Sequence, residues 1–204
     1  MRAMDVRLIE ARTHGRVVVR AGDPRRLLVG FHGYAQNAEE HLAELEQIPG
    51  TESWTIAAVQ GLHRFYRSRS EVVVASWMTR QDREASIGDN IDYVNRVMES
   101  FGDYDRLVFA GFSQGAAMAY RAAASIRCDA VIILGGDLPP DVDASKLPRV
   151  LIGRGSRDEW YSSAKLDADR ARLPAAEVVE LDAGHEWTAG FRAKAGEFLA
   201  RLTV

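Results

Sequence analysis

Apolar runs of strand length alternate along the chain with segments of helical period. Six runs rich in Val, Ile, Leu and Ala predict buried parallel strands at 26–31, 55–59, 106–111, 129–135, 149–154 and 177–181. Segments with apolar positions three or four residues apart predict helices at 38–48, 84–101, 113–125, 162–173 and 190–202. This alternation predicts an α/β fold with a mostly parallel central sheet and helices on both faces.

Three segments fall outside the alternation. "DVRLIEA" (5–11) and "RVVVRAG" (16–22) flank the turn-like "RTHG" and predict an antiparallel hairpin. "HRFYRSRSE" (63–71) interleaves basic and aromatic residues, which favours a solvated loop at a sheet edge over an anion site. Residues 135–148, rich in Pro, Gly and Asp, predict a loop and not a domain linker, because a further strand follows them.

Composition limits the kinds of partner. A chain of 204 residues with 47% hydrophobic content suits one domain, expected over 1–204. The formal charge of −3 is spread along the chain, so we expect no nucleic-acid partner. No run of eighteen apolar residues and no signal-peptide core occurs, so we expect no stable membrane insertion. The one cysteine, Cys128, cannot form an internal disulfide, which favours the cytoplasm. The oligomeric state stays open, and a homodimer is compatible with these features.

The pentapeptide "GFSQG" (111–115) places Ser113 between a predicted strand and a predicted helix. In a reversal this sharp the serine backbone is strained, and Gly111 and Gly115 avoid the clashes that Cβ atoms would cause. The strain exposes the hydroxyl at the carboxyl edge of the sheet, where α/β sheets bind ligands. Glycines that only allow close helix–strand packing are the alternative. The context favours a nucleophile.

A serine nucleophile needs a histidine base and a carboxylate that orients the base. His185, in "LDAGHEW" directly after the last predicted strand, is the one histidine that follows Ser113 in the chain. Hydrolases with this strand–serine–helix turn carry their partners in the order Ser, acid, His. The order and position therefore favour His185 as the base over an ordinary surface histidine.

The acid is less sharply defined. Asp158, in "GRGSRDEWY" just beyond a strand, leads because nearby glycines permit a tight turn. Asp137, after the preceding strand, is the rival. Glu159 is a weaker candidate, and Asp182 lies too near His185 in sequence.

Attack of an alkoxide on a carbonyl creates an oxyanion that needs at least two donors. The backbone amide of Gln114, at a helix N-terminus, supplies one. The other is expected in the loop after the first buried strand, where Gly33 lets the chain kink so that the amide of Tyr34 faces the nucleophile. We interpret His32 as a residue that anchors this loop, because its role as base would duplicate that of His185.

Other site classes are disfavoured, so we expect neither a metal nor a cofactor. "HEWTA" lacks the second histidine of a zinc motif, "GRGSRD" lacks the third glycine of a dinucleotide fingerprint, and no phosphate-binding P-loop occurs. Trp77, Trp160 and Trp187 follow strand ends or flank the expected catalytic residues. They suggest an aromatic-walled acyl pocket, although core packing explains each one singly.

Together "FHGYAQNAEEHLAEL", "AGFSQGAAMA", "GSRDEW" and "AGHEW" resemble the phospholipase/carboxylesterase group of α/β-hydrolases, which includes the acyl-protein thioesterases. The likeness runs from about residue 26 to the end, and "GFSQG" is its specific element. It implies an α/β-hydrolase fold with a minimal cap. It also implies Ser113 as nucleophile, Asp158 and His185 as its partners, and the amides of Tyr34 and Gln114 as oxyanion donors.

The chain departs from that group at Tyr34-Ala35, at Ala116 and at "SWMT" (76–79), which leaves the acyl-group preference open. We expect a hydrolase that cleaves small or medium carboxylic esters, thioesters or lysophospholipids through an acyl-enzyme. Two alternatives remain at this stage. One is acyl transfer or peptide cleavage by the same residues, and the other is a non-catalytic ligand-binding relative of this fold.

Overall fold

A computed structural model describes residues 5–202. Its nine strands in that range are β1 Arg16–Arg20, β2 Asp23–Phe31, β3 Trp54–Gln60, β4 His63–Tyr66, β5 Val73–Ser76, β6 Arg106–Phe112, β7 Ala130–Leu134, β8 Arg149–Gly155 and β9 Glu177–Leu181. The α-helices described there are α1 Ala38–Leu45, α2 Arg83–Glu99, α3 Gln114–Ser125, α4 Ser163–Arg172 and α5 Ala189–Ala200. A single 3-10 turn, Ala144–Lys146, interrupts the predicted loop 135–148.

Seven strands form one sheet in the order β1-β3-β2-β6-β7-β8-β9. Neighbouring strands are parallel except at the β1 edge, where β1 runs antiparallel to β3. This arrangement confirms the predicted α/β fold with a mostly parallel sheet. Because parallel strands end at the same edge, the loops that follow β2, β6, β7, β8 and β9 meet there.

The core lies on both faces of the sheet because successive side chains of a strand point in opposite directions. In β6, Leu107 and Phe109 pack on one face, whereas Val108 and Ala110 pack on the other. Helices α2, α3 and α4 cover the first face, and α1 and α5 cover the second. The expectation of helices on both faces is therefore confirmed.

The predicted N-terminal hairpin is wrong. Residues 5–15 have no regular structure, and β1 pairs with β3 instead of with 5–11. The outer edge of β1 is already engaged, because the Tyr93 hydroxyl accepts a hydrogen bond from the Arg16 amide and donates one to the Arg16 carbonyl, both at 2.9 Å. Val6, Leu8 and Ile9, which suggested a strand, stay exposed.

The segment 63–71 also differs from the prediction of a loop. Its first four residues form β4, which pairs antiparallel with β5 in a separate two-stranded sheet. The expected exposure is observed, since His63, Arg64 and Tyr66 face solvent. Among the helices within residues 5–202, none has the length and apolar character needed to traverse a bilayer.

Candidate active site

The turn between β6 and α3, residues 111–115, is referred to below as the elbow. Ser113 has φ 54° and ψ −119°, a region that side-chain-bearing residues rarely adopt. Its amide donates to the Leu134 carbonyl at 2.9 Å, which ties the elbow to β7. A Cβ atom at Gly115 would lie 2.0 Å from the Phe31 carbonyl oxygen, and one at Gly111 would lie 2.4 Å from the Gly115 oxygen. The two glycines therefore allow both the turn and its close approach to β2.

Ser113, His185 and Asp158 lie in a continuous hydrogen-bonded series. The Ser113 hydroxyl is 2.7 Å from His185 Nε2, and His185 Nδ1 is 2.7 Å from Asp158 Oδ2. Because the carboxylate accepts from Nδ1–H, Nε2 is left free to accept the serine proton. The Asp158 side chain is 1% exposed and that of His185 20% exposed, so solvent reaches His185 more than Asp158.

Asp158 is held by its own turn, residues 158–161, which we call the acid turn. Its Oδ1 accepts from the amides of Trp160 at 2.8 Å and Tyr161 at 2.9 Å. This leaves Oδ2 for His185. The structure thus brings together the three residues that the sequence singled out, although they lie 45 and 27 positions apart.

The rival carboxylates have other partners or face solvent. Asp137 accepts from Lys165 Nζ at 3.2 Å, and Asp182 pairs with Arg157. Glu159 is exposed. Of the four carboxylates considered, Asp158 is the one in contact with His185.

The loop after β2, residues 32–36, is referred to as the oxyanion loop. The Gly33 amide donates to Gln36 Oε1 at 2.8 Å, and Ala35 adopts a positive φ of 56°. Within residues 5–202, neither the Tyr34 amide nor the Gln114 amide donates to another protein group. Both expected oxyanion donors are therefore unengaged. The Tyr34 ring is 62% exposed and stacks on Phe65 of β4.

His32 anchors the oxyanion loop from beneath, in agreement with the interpretation from sequence. Its Nε2 accepts from the Gly61 amide at 2.9 Å, so Nδ1 carries the proton and donates to the Gly33 carbonyl at 2.7 Å. Burial lowers the pKa of His32 below its usual value, which keeps the ring neutral and preserves this bonding pattern.

The Gln114 side chain has a role that sequence reasoning missed. Its Oε1 accepts from the Trp77 amide at 2.9 Å, and its Nε2 donates to the Met78 carbonyl at 2.8 Å. The Gln114 side chain therefore holds the segment that follows β5 against the elbow. The position of Gln114 directly after Ser113 was the one signal in the sequence for this role. Its partners, the Trp77 amide and the Met78 carbonyl, lie 37 and 36 positions away in the chain.

The three tryptophans occupy different environments, and the role of Trp77 needs correction. Trp77 is fully buried, and its indole donates to the His32 carbonyl at 2.9 Å, so it supports the oxyanion loop and does not line an open pocket. Trp160 is 75% exposed at the acid turn. Trp187 is partly buried beside Phe112, whose ring lies 4.9 Å from that of His185 between centroids.

Gly135, directly after β7, was not singled out from the sequence as part of the site. It has a φ of +65°, and a Cβ atom there would lie 3.0 Å from two atoms of the His185 ring. A larger residue would be strained and would crowd the imidazole. The pair of glycines at a strand end was the signal that could have identified it.

A family model described as "Serine hydrolase (FSH1)" matches residues 23–130, which is more than half of the 204-residue chain. The chain belongs to this serine hydrolase family. The match includes the oxyanion loop and the elbow and ends before the acid turn and His185. No curated protein matches the chain in sequence.

Several solved structures share the fold of this FSH1-family chain. Esterase PE8 has a TM-score of 0.74 with 17% identity, covering 93% of this chain and 100% of that one. Acyl-protein thioesterase 2 of Zea mays has a TM-score of 0.75 with 15% identity, covering 94% and 100%. A carboxylesterase of Bacillus cereus has a TM-score of 0.65 with 20% identity, covering 92% and 94%. These matches show an α/β-hydrolase fold.

Proposed function

We propose that this serine hydrolase cleaves carboxylic esters, including thioesters, with Ser113 as nucleophile, His185 as general base and acid, and Asp158 as the group that orients His185. The observation that carries the proposal is the pair of 2.7 Å contacts that joins the three side chains. A histidine between a serine hydroxyl and a buried carboxylate can take the serine proton and be stabilised as the imidazolium.

The reaction follows from this arrangement. Ser113 Oγ attacks the ester carbonyl carbon while its proton passes to His185 Nε2. The tetrahedral intermediate collapses to an acyl-enzyme, and the proton from Nε2 leaves with the alcohol or thiol. Water then attacks the acyl-enzyme in the same way, with the proton returned to Ser113 and the carboxylic acid released.

The amides of Tyr34 and Gln114 are proposed as the oxyanion donors. Support comes from their positions near Ser113: Gln114 follows it at the N-terminus of α3, and Tyr34 follows Gly33, where a Cβ atom would lie 3.3 Å from Ser113 Cβ. Neither amide, within the described part of the chain, is engaged by another protein group. Preorganised donors of this kind stabilise the charge that develops on the carbonyl oxygen.

Small or medium acyl groups suit the surroundings of Ser113. Ser113 is partly exposed, and no helical domain is inserted between the strands at this edge in residues 5–202. Two aromatic side chains lie on the loops that flank the site, Tyr34 at 62% and Trp160 at 75% exposure, and either can pack against an acyl chain or a leaving group. Trp187 is proposed to contribute to the acyl pocket indirectly, by packing against Phe112, whose ring lies next to that of His185.

The number of domains and the cellular compartment are also proposed. Two apolar clusters on the faces of one sheet support a single domain over 1–204. Burial, followed by the charge of Asp129, raises the pKa of the one cysteine, Cys128, to about 12, which makes it a poor nucleophile. With one cysteine, the 204-residue sequence cannot form an internal disulfide, which is typical of a reducing compartment such as the cytoplasm.

The test combines active-site labelling with a substrate panel. A fluorophosphonate probe should label wild-type protein once and leave Ser113→Ala unlabelled, and p-nitrophenyl and thioester substrates of graded acyl length should be hydrolysed by wild type and not by Ser113→Ala. Ser125→Ala, at the other end of α3, is the matched control and should behave as wild type. Equal labelling of Ser113→Ala, or no turnover of any ester or thioester by wild type, would remove the proposal.

A further inference from the structure

Three charged residues of α4, Lys165, Asp169 and Arg172, lie four and three positions apart and so share one helix face. We call this face the α4 bracket. It contacts two segments at once, the acid turn and the segment 137–142 that follows β7. Lys165 Nζ donates to the Trp160 carbonyl at 3.0 Å and to Asp137 at 3.2 Å, and Arg172 donates to the carbonyls of Leu138, Pro139 and Val142.

Asp169 is the central member of the bracket, and it is buried with 3% of its surface exposed. Its Oδ2 accepts from the Tyr161 hydroxyl at 2.7 Å, and both its oxygens accept from the Leu138 amide, at 3.1 and 3.2 Å. Burial raises the pKa of Asp169, against the lowering effect of these hydrogen bonds. A buried carboxyl is costly to place, so its partners must be held closely around it.

Tyr161 connects Asp169 to the candidate triad. Its side chain is fully buried, and its backbone amide donates to Asp158 Oδ1 at 2.9 Å. Its carbonyl accepts from Arg154 Nε at 2.7 Å. The residue is therefore fixed at its hydroxyl, its amide and its carbonyl, and a displacement of the hydroxyl moves the amide that orients Asp158.

Asp169 also contacts the segment that follows β7. Leu138, whose amide donates to Asp169, follows Gly135 by three residues, and a Cβ atom at Gly135 would lie 3.0 Å from the His185 ring and 3.3 Å from Asp158 Oδ2. The amide of Gly135 donates to the Gly153 carbonyl at 3.0 Å, which anchors the start of this segment to β8. Asp169 thus contacts both the acid turn and the segment whose first residue adjoins His185.

We propose that Asp169 is a positioning residue for the triad: through the Tyr161 hydroxyl it orients Asp158, and through the Leu138 amide it holds the segment after β7 against His185. The inference rests on the proposed function, because it assigns Asp169 to the same site. Asp169 touches no reacting atom. Its effect is on the distance and angle between Asp158 and His185, and a misplacement of about 1 Å can cost about 100-fold in rate.

The experiment measures the rate of fluorophosphonate labelling in four proteins: wild type, Asp169→Asn, Tyr161→Phe and Asp167→Asn. Asp167 is on the same helix, is exposed and pairs only with Arg170 among the described residues, so it is the matched control. We expect Asp169→Asn to be slower by up to about 100-fold and Tyr161→Phe by about 10-fold. Asp167→Asn should label within about twofold of wild type.

Repeating the series in an Asp158→Asn background separates the two contacts of Asp169, because the contact through Tyr161 has no carboxylate to orient there, whereas the contact through Leu138 still acts on His185. We expect the factor for Tyr161→Phe to fall toward one in that background and the factor for Asp169→Asn to become smaller. Unchanged factors for both variants in the two backgrounds, or no loss with intact Asp158, would overturn the proposal. If Asp169→Asn fails to fold, as judged by its thermal transition, the Tyr161→Phe pair decides the outcome.

A spectroscopic signal tests the inference independently of the proposed function. The proton between His185 Nδ1 and Asp158 lies in a short charge-assisted bond and should give a proton resonance far downfield of the amides. We expect the signal to be lost in Asp158→Asn, moved or broadened in Asp169→Asn and Tyr161→Phe, and unchanged in Asp167→Asn. If wild type proves unlabelled and inactive, the proposed function fails, whereas an unchanged signal in Asp169→Asn and Tyr161→Phe defeats the positioning role.

Discussion

The elbow and the acid turn both follow a parallel strand and both present one side chain to His185, but they are held by different means. The elbow depends on steric fit, since glycines stand where any Cβ would meet backbone 2.0 to 2.4 Å away. The acid turn depends on hydrogen bonds from its own amides and from α4. The steric requirement at the elbow restricts two positions to glycine, whereas the hydrogen bonds at the acid turn can be made by many residue types and so leave a weaker pattern in the sequence.

The largest expected effect comes from removing the charge that the acid turn presents. Asp158→Asn should lower kcat by up to about 10⁴-fold, by analogy with serine proteases, because the amide can no longer favour the tautomer with Nε2 free. Steady-state kinetics on a p-nitrophenyl ester measure it. Asp137→Asn is the control and should stay within a few-fold of wild type, since its partner is the exposed Lys165. A reversed ranking of the two variants would mean that Asp137 is the acid.

A substitution in the elbow should act by lowering the stability of the folded protein. A methyl group at Gly115 would meet the Phe31 carbonyl at 2.0 Å, so Gly115→Ala has to displace β2 or α3. We expect a loss of more than about 4 kcal/mol in the free energy of unfolding, measured by chemical denaturation. Gly102→Ala, where no atom lies within 4 Å of the added carbon, should change stability by less than about 0.5 kcal/mol. Similar losses in both variants would show that the elbow is not sterically restricted.

A third effect concerns a buried histidine of α1. His41 of α1 is buried, with both ring nitrogens unpartnered among the described residues, and its ring lies 6.1 Å from that of Trp187. Burial, with a smaller contribution from His32, lowers the pKa of His41 from 6.5 to about 3. The folded state therefore excludes a proton that the unfolded state binds below pH 6.5.

It follows that His41 costs stability as the pH falls from about 6.5 toward about 3, by about 1.4 kcal/mol per pH unit. Unfolding free energies of wild type and His41→Leu, compared between pH 7 and 4, should differ in slope by that amount, with the variant less sensitive to acid. Carboxylates whose pKa is lowered, such as Glu39 and Asp141, are common to both proteins and cancel. His14→Leu, at an exposed position, should retain the wild-type slope. Parallel curves for wild type and His41→Leu would refute the assignment.

The smallest effect concerns the Gln114 clamp. Gln114→Ala keeps the backbone amide but frees the Trp77 amide and the Met78 carbonyl. We expect kcat to fall by about 10-fold with KM unchanged, less than the loss of an oxyanion donor itself, because the donor is only loosened. Gln81→Ala, on the exposed loop before α2, is the control. A change in KM alone would place the clamp in substrate binding.

The sequence was most informative where one short segment carries the whole constraint. The strand–turn–helix at the elbow was predicted because Gly111, Ser113 and Gly115 lie within five residues, and His185 was selected because no other histidine follows Ser113. The structure places these residues together, and their catalytic roles stay predictions. Asp158 was chosen over Asp137 from its position in a loop. In the structure Asp137 pairs with Lys165, and Asp158 is the carboxylate in contact with His185. The pocket role of Trp77 was wrong because a tryptophan near a strand end looks the same whether its ring faces a cleft or the core.

Two features that the sequence analysis did not predict depend on side-chain hydrogen bonds made only in the folded chain. The N-terminal hairpin did not form, and the Tyr93 hydroxyl, 77 positions from Arg16, occupies the edge that it would have used. The bond from Tyr161 to Asp169 joins a turn to a helix whose polar pattern resembles any solvated face. Neither contact leaves a periodic or compositional trace.

The amino-acid sequence by itself determined the layered fold and the strand–turn–helix at the elbow, because side-chain periodicity and the need for glycine act over a few neighbouring residues. Tertiary structure decided which carboxylate meets His185, which tryptophan is buried, and how α4 supports the acid turn. Those outcomes depend on hydrogen bonds whose geometry exists only after the strands have aligned their carboxyl ends at one edge of the sheet.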